Sequence, residues 1–144
     1  MKVTQVLVKK LFSEARIPRK AHDDDAGWDL YANSIRKVGF LRYEYGSGIA
    51  IEMPKGYEAQ VRARSSIFTT GFILSNGMGT IDAGYRGEIK AVFWKIPFIG
   101  KPYKIGERFC QLVFKEVPEI KLKKVKELNE SSRGEGGYGS TGRN

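Results

Sequence analysis

The sequence predicts an all-β domain, a sandwich or barrel of short strands. Two observations predict it: apolar residues recur at every second position in one short segment after another, and 17 glycines in 144 residues punctuate those segments. A third supports it, since only one short stretch, Ser65–Thr70, reads as helical. In chain order, Gly48–Met53 turns Ile49, Ile51 and Met53 inward and Ala50 and Glu52 outward. Gly56–Ser65 sets Tyr57, Ala59, Val61 and Ala63 on one face, with Glu58, Gln60, Arg62 and Arg64 on the other. Ser65–Thr70 is expected to be a helical turn capped by a serine and stopped by Gly71. Asn76-Gly77, between FILS and MGTI, predicts a hairpin whose two turn positions both need φ > 0. Glu88–Lys95, Phe109–Val117 and Ile120–Val125 complete the strands, rich in Val, Ile, Phe and Trp. From Glu127 onward ELNESSRGEGGYGSTGRN holds almost no aliphatic side chain. Residues 1–126 are therefore expected to form the barrel and 127–144 a flexible Gly-rich tail.

Composition narrows the chemistry. A hydrophobic fraction of 41% suffices for a packed core. One Cys (Cys110) excludes an internal disulfide and a multi-cysteine zinc site, and one His (His22) excludes a His-pair metal site. An enzyme of this composition would use a carboxylate as its base. Lys+Arg at 25 against Asp+Glu at 16 gives +9, which suits a polyanion partner or simply a soluble basic surface. No apolar run approaches the roughly 18 residues of a membrane span, and Lys9 and Lys10 cut short the N-terminal apolar patch. A soluble, cytoplasmic setting without a membrane partner is the expectation.

Several residues invite a chemical reading beside a plain one. Gly134–Thr141 has the glycine spacing of a phosphate loop, but Ser140 stands where such loops carry lysine, so a P-loop NTPase is rejected. Successive N–H groups there, with Arg133, Ser140 and Thr141, still suit a triphosphate. Asp82 and Tyr85 could converge only if Ala83-Gly84 turns the chain; from these residues alone, a turn-capping Asp beside a core Tyr is the better reading. Arg64 and Ser65 are either phosphate donors or a surface arginine with a helix cap. Gln111 is either a ligand or an edge-strand polar residue. The run Asp23–Asp25 reads as a solvated loop.

Five segments together resemble the motifs of the trimeric deoxyuridine triphosphatase (dUTPase) family: AGWDLYA at Ala26–Ala32, RARSS at Arg62–Ser66, NGMGTIDAGYRGE at Asn76–Glu88, GERFCQLV at Gly106–Val113 and RGEGGYGSTG at Arg133–Gly142. The resemblance implies a jelly-roll-like β-barrel that hydrolyses dUTP to dUMP and pyrophosphate, with Mg²⁺ as cofactor. It implies Asp82 as general base and Tyr85 as the platform under the deoxyribose. The hairpin Ile73–Ile81 becomes the uracil slot, through Asn76, Gly79 and Ile81. Arg64, Ser65, Ser66 and Gln111 hold phosphates, and Asp29 stands near the metal through water. From the tail, Arg133, Ser140 and Thr141 take the terminal phosphates, while Tyr138 and Gly139 cover the base. It further implies a homotrimer with shared sites, no nucleic acid being required. Trp28, Ala63, Ser66, Cys110 and Tyr138 depart from the usual family residues without removing a catalytic side chain. Two rivals remain at this point. A dCTP deaminase, or a bifunctional relative, would carry Glu ten residues after Asp82, where this chain has Val92. A basic nucleic-acid-binding barrel would use Lys121, Lys123, Lys124 and Lys126 with the chain's seven Tyr, eight Phe and two Trp.

Overall fold

Ten strands and one 3₁₀ turn make up the computed structural model, which describes residues 3–142. The strands are β1 (Leu7–Lys10), β2 (Trp28–Tyr31), β3 (Ser34–Gly39), β4 (Arg42–Gly46), β5 (Ile49–Glu52), β6 (Tyr57–Ala63), β7 (Phe72–Leu74), β8 (Gly79–Asp82), β9 (Lys90–Lys95) and β10 (Arg108–Glu116), with the 3₁₀ turn η1 at Ser65–Thr69. They assemble into two four-stranded sheets, ordered β2-β10-β6-β8 and β3-β4-β9-β7, and a β1-β5 pair. Every pairing is antiparallel. The outermost ends of the expected barrel and tail, residues 1–2 and 143–144, lie outside the described residues.

The inward faces follow the period-2 pattern. Ile49, Ile51, Ala59, Val61, Phe93, Phe109 and Leu112 are buried. Tyr45 centres an aromatic cluster, with ring centroids 5.4 Å from Phe93 and 5.5 Å from Phe109. Its hydroxyl donates to the Tyr103 carbonyl at 2.7 Å, so the core keeps no orphaned donor there. Burial pushes the Tyr45 hydroxyl pKa up, well above the usual tyrosine range.

Four expectations need correction. Ile120–Val125 is not a strand: the segment pairs with no strand among the described residues, and Ile120, Leu122 and Val125 stand exposed. A period-2 pattern records which side would be buried, not whether a neighbouring strand exists to bury it. Asn76-Gly77 does not close a two-stranded hairpin, because β7 pairs with β9 and β8 with β6 in the other sheet. Only Gly77 has positive φ, at 65°; the turn closes by Gly77 N–H donating to the Leu74 carbonyl at 3.0 Å. Ala50, expected outside, is buried, a methyl standing too short to clear the chains beside it. The helical turn has Arg64 rather than a serine at its N-cap, in extended conformation and without a side-chain cap. Gly71 does stop it: its φ is +68°, and a β-carbon there would overlap the Ile99 carbonyl.

Candidate active site

The outward face of sheet β2-β10-β6-β8 carries the polar residues that the alternation left over. Across its first three strands Asp29, Gln111 and Arg62 stand in one row, paired Gln111–Asp29 and Gln111–Arg62. The Gln111 Nε2 donates to the Ala63 carbonyl at 3.1 Å. Its carboxamide lies over Gly27, where any β-carbon would collide with it. Asp29 is buried between two guanidinium groups. Arg64 Nε donates to its Oδ1 at 2.9 Å and Arg108 donates to its Oδ2 at 3.0 Å. One carboxylate between two arginines leaves a positive charge in excess. Arg64 also donates to the Ser66 hydroxyl at 3.2 Å, and that hydroxyl meets the Tyr103 hydroxyl at 3.2 Å. Ser66 is thus tied inward, whereas Ser65 is exposed. Asp29, Arg64, Ser65 and Gln111 line a cleft of about 360 Å³ with Asp25, Arg62 and Gly27. Asp25 accepts from the His22 N–H at 2.9 Å, which closes the acidic run into a turn rather than a metal cluster.

The other group lies at the β8 end. The turn demanded of Ala83-Gly84 forms: Tyr85 N–H donates to the Asp82 carbonyl at 3.0 Å. Gly84 is not the reason, since its φ is not left-handed. Gly87 matters more. The Tyr85 ring lies on it so closely that a β-carbon there would overlap the ring, and the Tyr85 hydroxyl donates to the Glu88 carbonyl at 3.0 Å. The Asp82 side chain and Asn76 are exposed. As β8 is a sheet edge, alternate backbone groups of Gly79–Asp82 point away from β6 and stay free to pair with a ligand. The Ile81 side chain packs on the core, which leaves only its backbone for that purpose.

The two groups do not meet within one chain. Asp82 stands opposite Glu58 on β6, six residues before Arg64 on the same extended segment. At about 3.3 Å per residue that is roughly 20 Å. The tail stands apart as well: the hydrogen bonds of residues 131–142 stay within that segment, including Arg133 Nε to the Gly136 carbonyl at 2.9 Å and Ser140 N–H to the Gly137 carbonyl at 3.0 Å. Tyr138, Gly139, Ser140 and Thr141 are all exposed.

Comparison with known proteins decides the family. The dUTPase family profile matches residues 13–142. The chain belongs to the dUTPase family. The deoxyuridine 5'-triphosphate nucleotidohydrolase of Clostridium kluyveri is 42% identical over 142 residues, covering 96% of this chain and 98% of the relative. Among solved structures, the dUTPase of Staphylococcus bacteriophage 80alpha with dUpNHpp superposes with a TM-score of 0.84 at 26% identity, covering 98% of this chain and 100% of that one. A dUTPase from phage phi11 of S. aureus, whose structure describes coordination of a structural Mg(II) ion, shares the fold at a TM-score of 0.72, 21% identity, 88% of this chain and 99% of that one.

Within this dUTPase the deaminase reading is not favoured: Val92 lies in β9 and supplies no carboxylate. Four residues of the site carry no functional sign in the sequence. Arg108, inside the GERFCQLV segment, shares Asp29 with Arg64. Gly27 and Gly87 looked like punctuation, yet each clears space for one functional side chain. Arg62, read as one of several exposed polar residues, lines the cleft. No local sequence signal finds Arg108, because its nearness to Asp29 depends on β10 pairing with β2. Cys110, where the family usually has Ala, is buried, and burial pushes its thiol pKa up to about 12, so it stays protonated and inert.

Proposed function

We infer that this chain hydrolyses dUTP to dUMP and pyrophosphate by water attack at the α-phosphorus, and so keeps uracil out of DNA. The observation that carries the reading is the exposed Asp82 carboxylate set one turn before a tyrosine ring bedded on Gly87. Asp82 orients and deprotonates the water, in line with the departing pyrophosphate. The Tyr85 face packs under the deoxyribose and leaves no room for a 2'-hydroxyl. Uracil pairs with the free backbone edge around Asn76, Gly79 and Ile81. Cytosine would leave those groups unpaired, which is what makes such rejection large. Arg64, Ser65 and Gln111 hold phosphates, Ser66 fixes Arg64, and Arg133, Ser140 and Thr141 of the tail take the outer oxygens while Tyr138 and Gly139 close over the base.

Magnesium enters as part of the substrate. Among the described residues no group of three or more His, Cys, Asp or Glu could hold a metal ion, and Asp29 is already engaged by two arginines. The described residues of one chain therefore offer no ready-made cluster for a resident ion. Mg²⁺ carried in on a triphosphate usually keeps several waters and takes one or two protein carboxylates at most.

The working unit is a homotrimer with shared sites. Two features support it. The Asp82 and Arg64 groups are roughly 20 Å apart along one strand, so a triphosphate nucleotide reaches both only if they come from different copies. Ile120, Leu122 and Val125 stand exposed, while Val6, Val8, Trp28, Leu112 and Phe114 line an apolar cavity of about 450 Å³ elsewhere. Residues 127–144 serve as a lid that orders over the nucleotide. No helix among the described residues is long and apolar enough to cross a membrane, and the enzyme is assigned to the cytoplasm on its substrate.

The test is pyrophosphate release from dUTP beside dTTP, dCTP and UTP, with and without Mg²⁺. Only dUTP with Mg²⁺ should turn over appreciably, and D82N should lose about 10²-fold or more in kcat. Wild-type turnover by D82N would remove Asp82 from the base role.

A further inference from the structure

Arg62 has no part in the reaction as described so far. It lines the same cleft as Arg64, Ser65 and Gln111, and stands in register with Gln111 across β6 and β10. Its surroundings differ from those of the other two arginines on this face. Arg64 and Arg108 share the Asp29 carboxylate, whereas no carboxylate pairs with Arg62 among the described residues. Instead its Nε donates to the Gln60 Oε1 at 3.0 Å, and a terminal nitrogen donates to the same oxygen. Gln60 is itself fixed, for its Nε2 donates to Glu58 Oε1 at 2.6 Å. A neutral carboxamide therefore holds the guanidinium in place without cancelling its charge. Two of the five N–H groups are used and three remain, in a planar fork suited to phosphate oxygens.

We propose that Arg62 is a polyphosphate-binding residue that grips the phosphates leaving as pyrophosphate. This rests on the reading of the cleft as the triphosphate site. Within the Asp29–Gln111–Arg62 row, Asp29 holds Arg64 on one side of Gln111, and Arg62 stands on the other. If Gln111 and Arg64 hold the α-phosphate, Arg62 is the other arginine lining the cleft, placed to join Arg133 of the tail on the phosphates beyond it. The charge it presents is largest in effect where negative charge gathers as pyrophosphate departs.

The experiment compares inhibition of dUTP turnover by inorganic pyrophosphate and by dUMP in wild type, R62Q and R62K, with thermal melting of each. R62Q should raise the pyrophosphate inhibition constant roughly tenfold and leave that of dUMP within about twofold. R62K keeps the charge but loses the fork, so it should raise the pyrophosphate value by a smaller factor, and it serves as the readout if R62Q melts early. An unchanged pyrophosphate constant in a folded variant overturns the assignment, as does an equal rise for dUMP. A wild-type chain that leaves dUTP intact would instead refute the reaction itself, so the two failures are separable.

Discussion

Asp29 shows how one side chain can set the direction of others. Its carboxylate is nearly buried and accepts from two guanidinium groups, and the direction of Arg64 depends on it. In D29N the two arginines would face each other without a counter-charge, in a partly buried place where the loss is not fully screened. We expect a loss of about 1–3 kcal/mol in denaturant unfolding and a rise in KM for dUTP larger than the fall in kcat. Unchanged stability together with unchanged KM would show that Arg64 is held by other means. Gly87 is a second case. A β-carbon there would displace the Tyr85 ring and break its bond to the Glu88 carbonyl. G87A should therefore keep the fold while its preference for dUTP over UTP falls roughly tenfold. Retained discrimination in steady-state competition would mean that the ring position does not exclude the 2'-hydroxyl.

At the scale of elements, the strands that carry function were readable and their partners were not. The alternation in β6 identified an outward row of Glu58, Gln60, Arg62 and Arg64, and the structure sets those polar residues on that face, with Ala59 and Val61 buried opposite. The same pattern at Ile120–Val125 produced no strand, since alternation cannot report a missing neighbour. Asn76-Gly77 was a sound turn signal attached to the wrong connection. The turn passes the chain from one sheet to the other, and this crossing leaves β8 as an edge with unpaired backbone. Gly27, Gly71 and Gly87 show why glycine alone was hard to interpret: each answers a close approach from a residue distant in sequence or across a turn, which no local rule contains.

For the whole molecule, the separation of the Asp82 and Arg64 groups along one sheet matters to the proposed assembly, in which each chain contributes two half-sites to sites shared with its copies. Sedimentation under assay conditions should therefore give about three times the 16.2 kDa chain mass. Mixing two inactive variants, D82N and R64Q, should restore part of the activity, as some sites in the mixed trimers receive both intact halves. A monomeric active species, or mixtures with no recovery, would return the site to a single chain.

The order of residues was enough to establish an all-β chain with one helical turn, the outward polar row on β6, the Asp82–Tyr85 turn and the five motifs that mark the family. These depend on local rules: period-2 burial, turn chemistry and the spacing of side chains within a segment. Tertiary structure alone decided that Asp29 holds arginines, that Arg108 joins it, that Arg62 stands uncompensated in the cleft and that the two half-sites lie far apart. Each of those facts is set by which strands become neighbours and in what register. That pairing arises from the free energy of burying many faces at once, and no single segment encodes it.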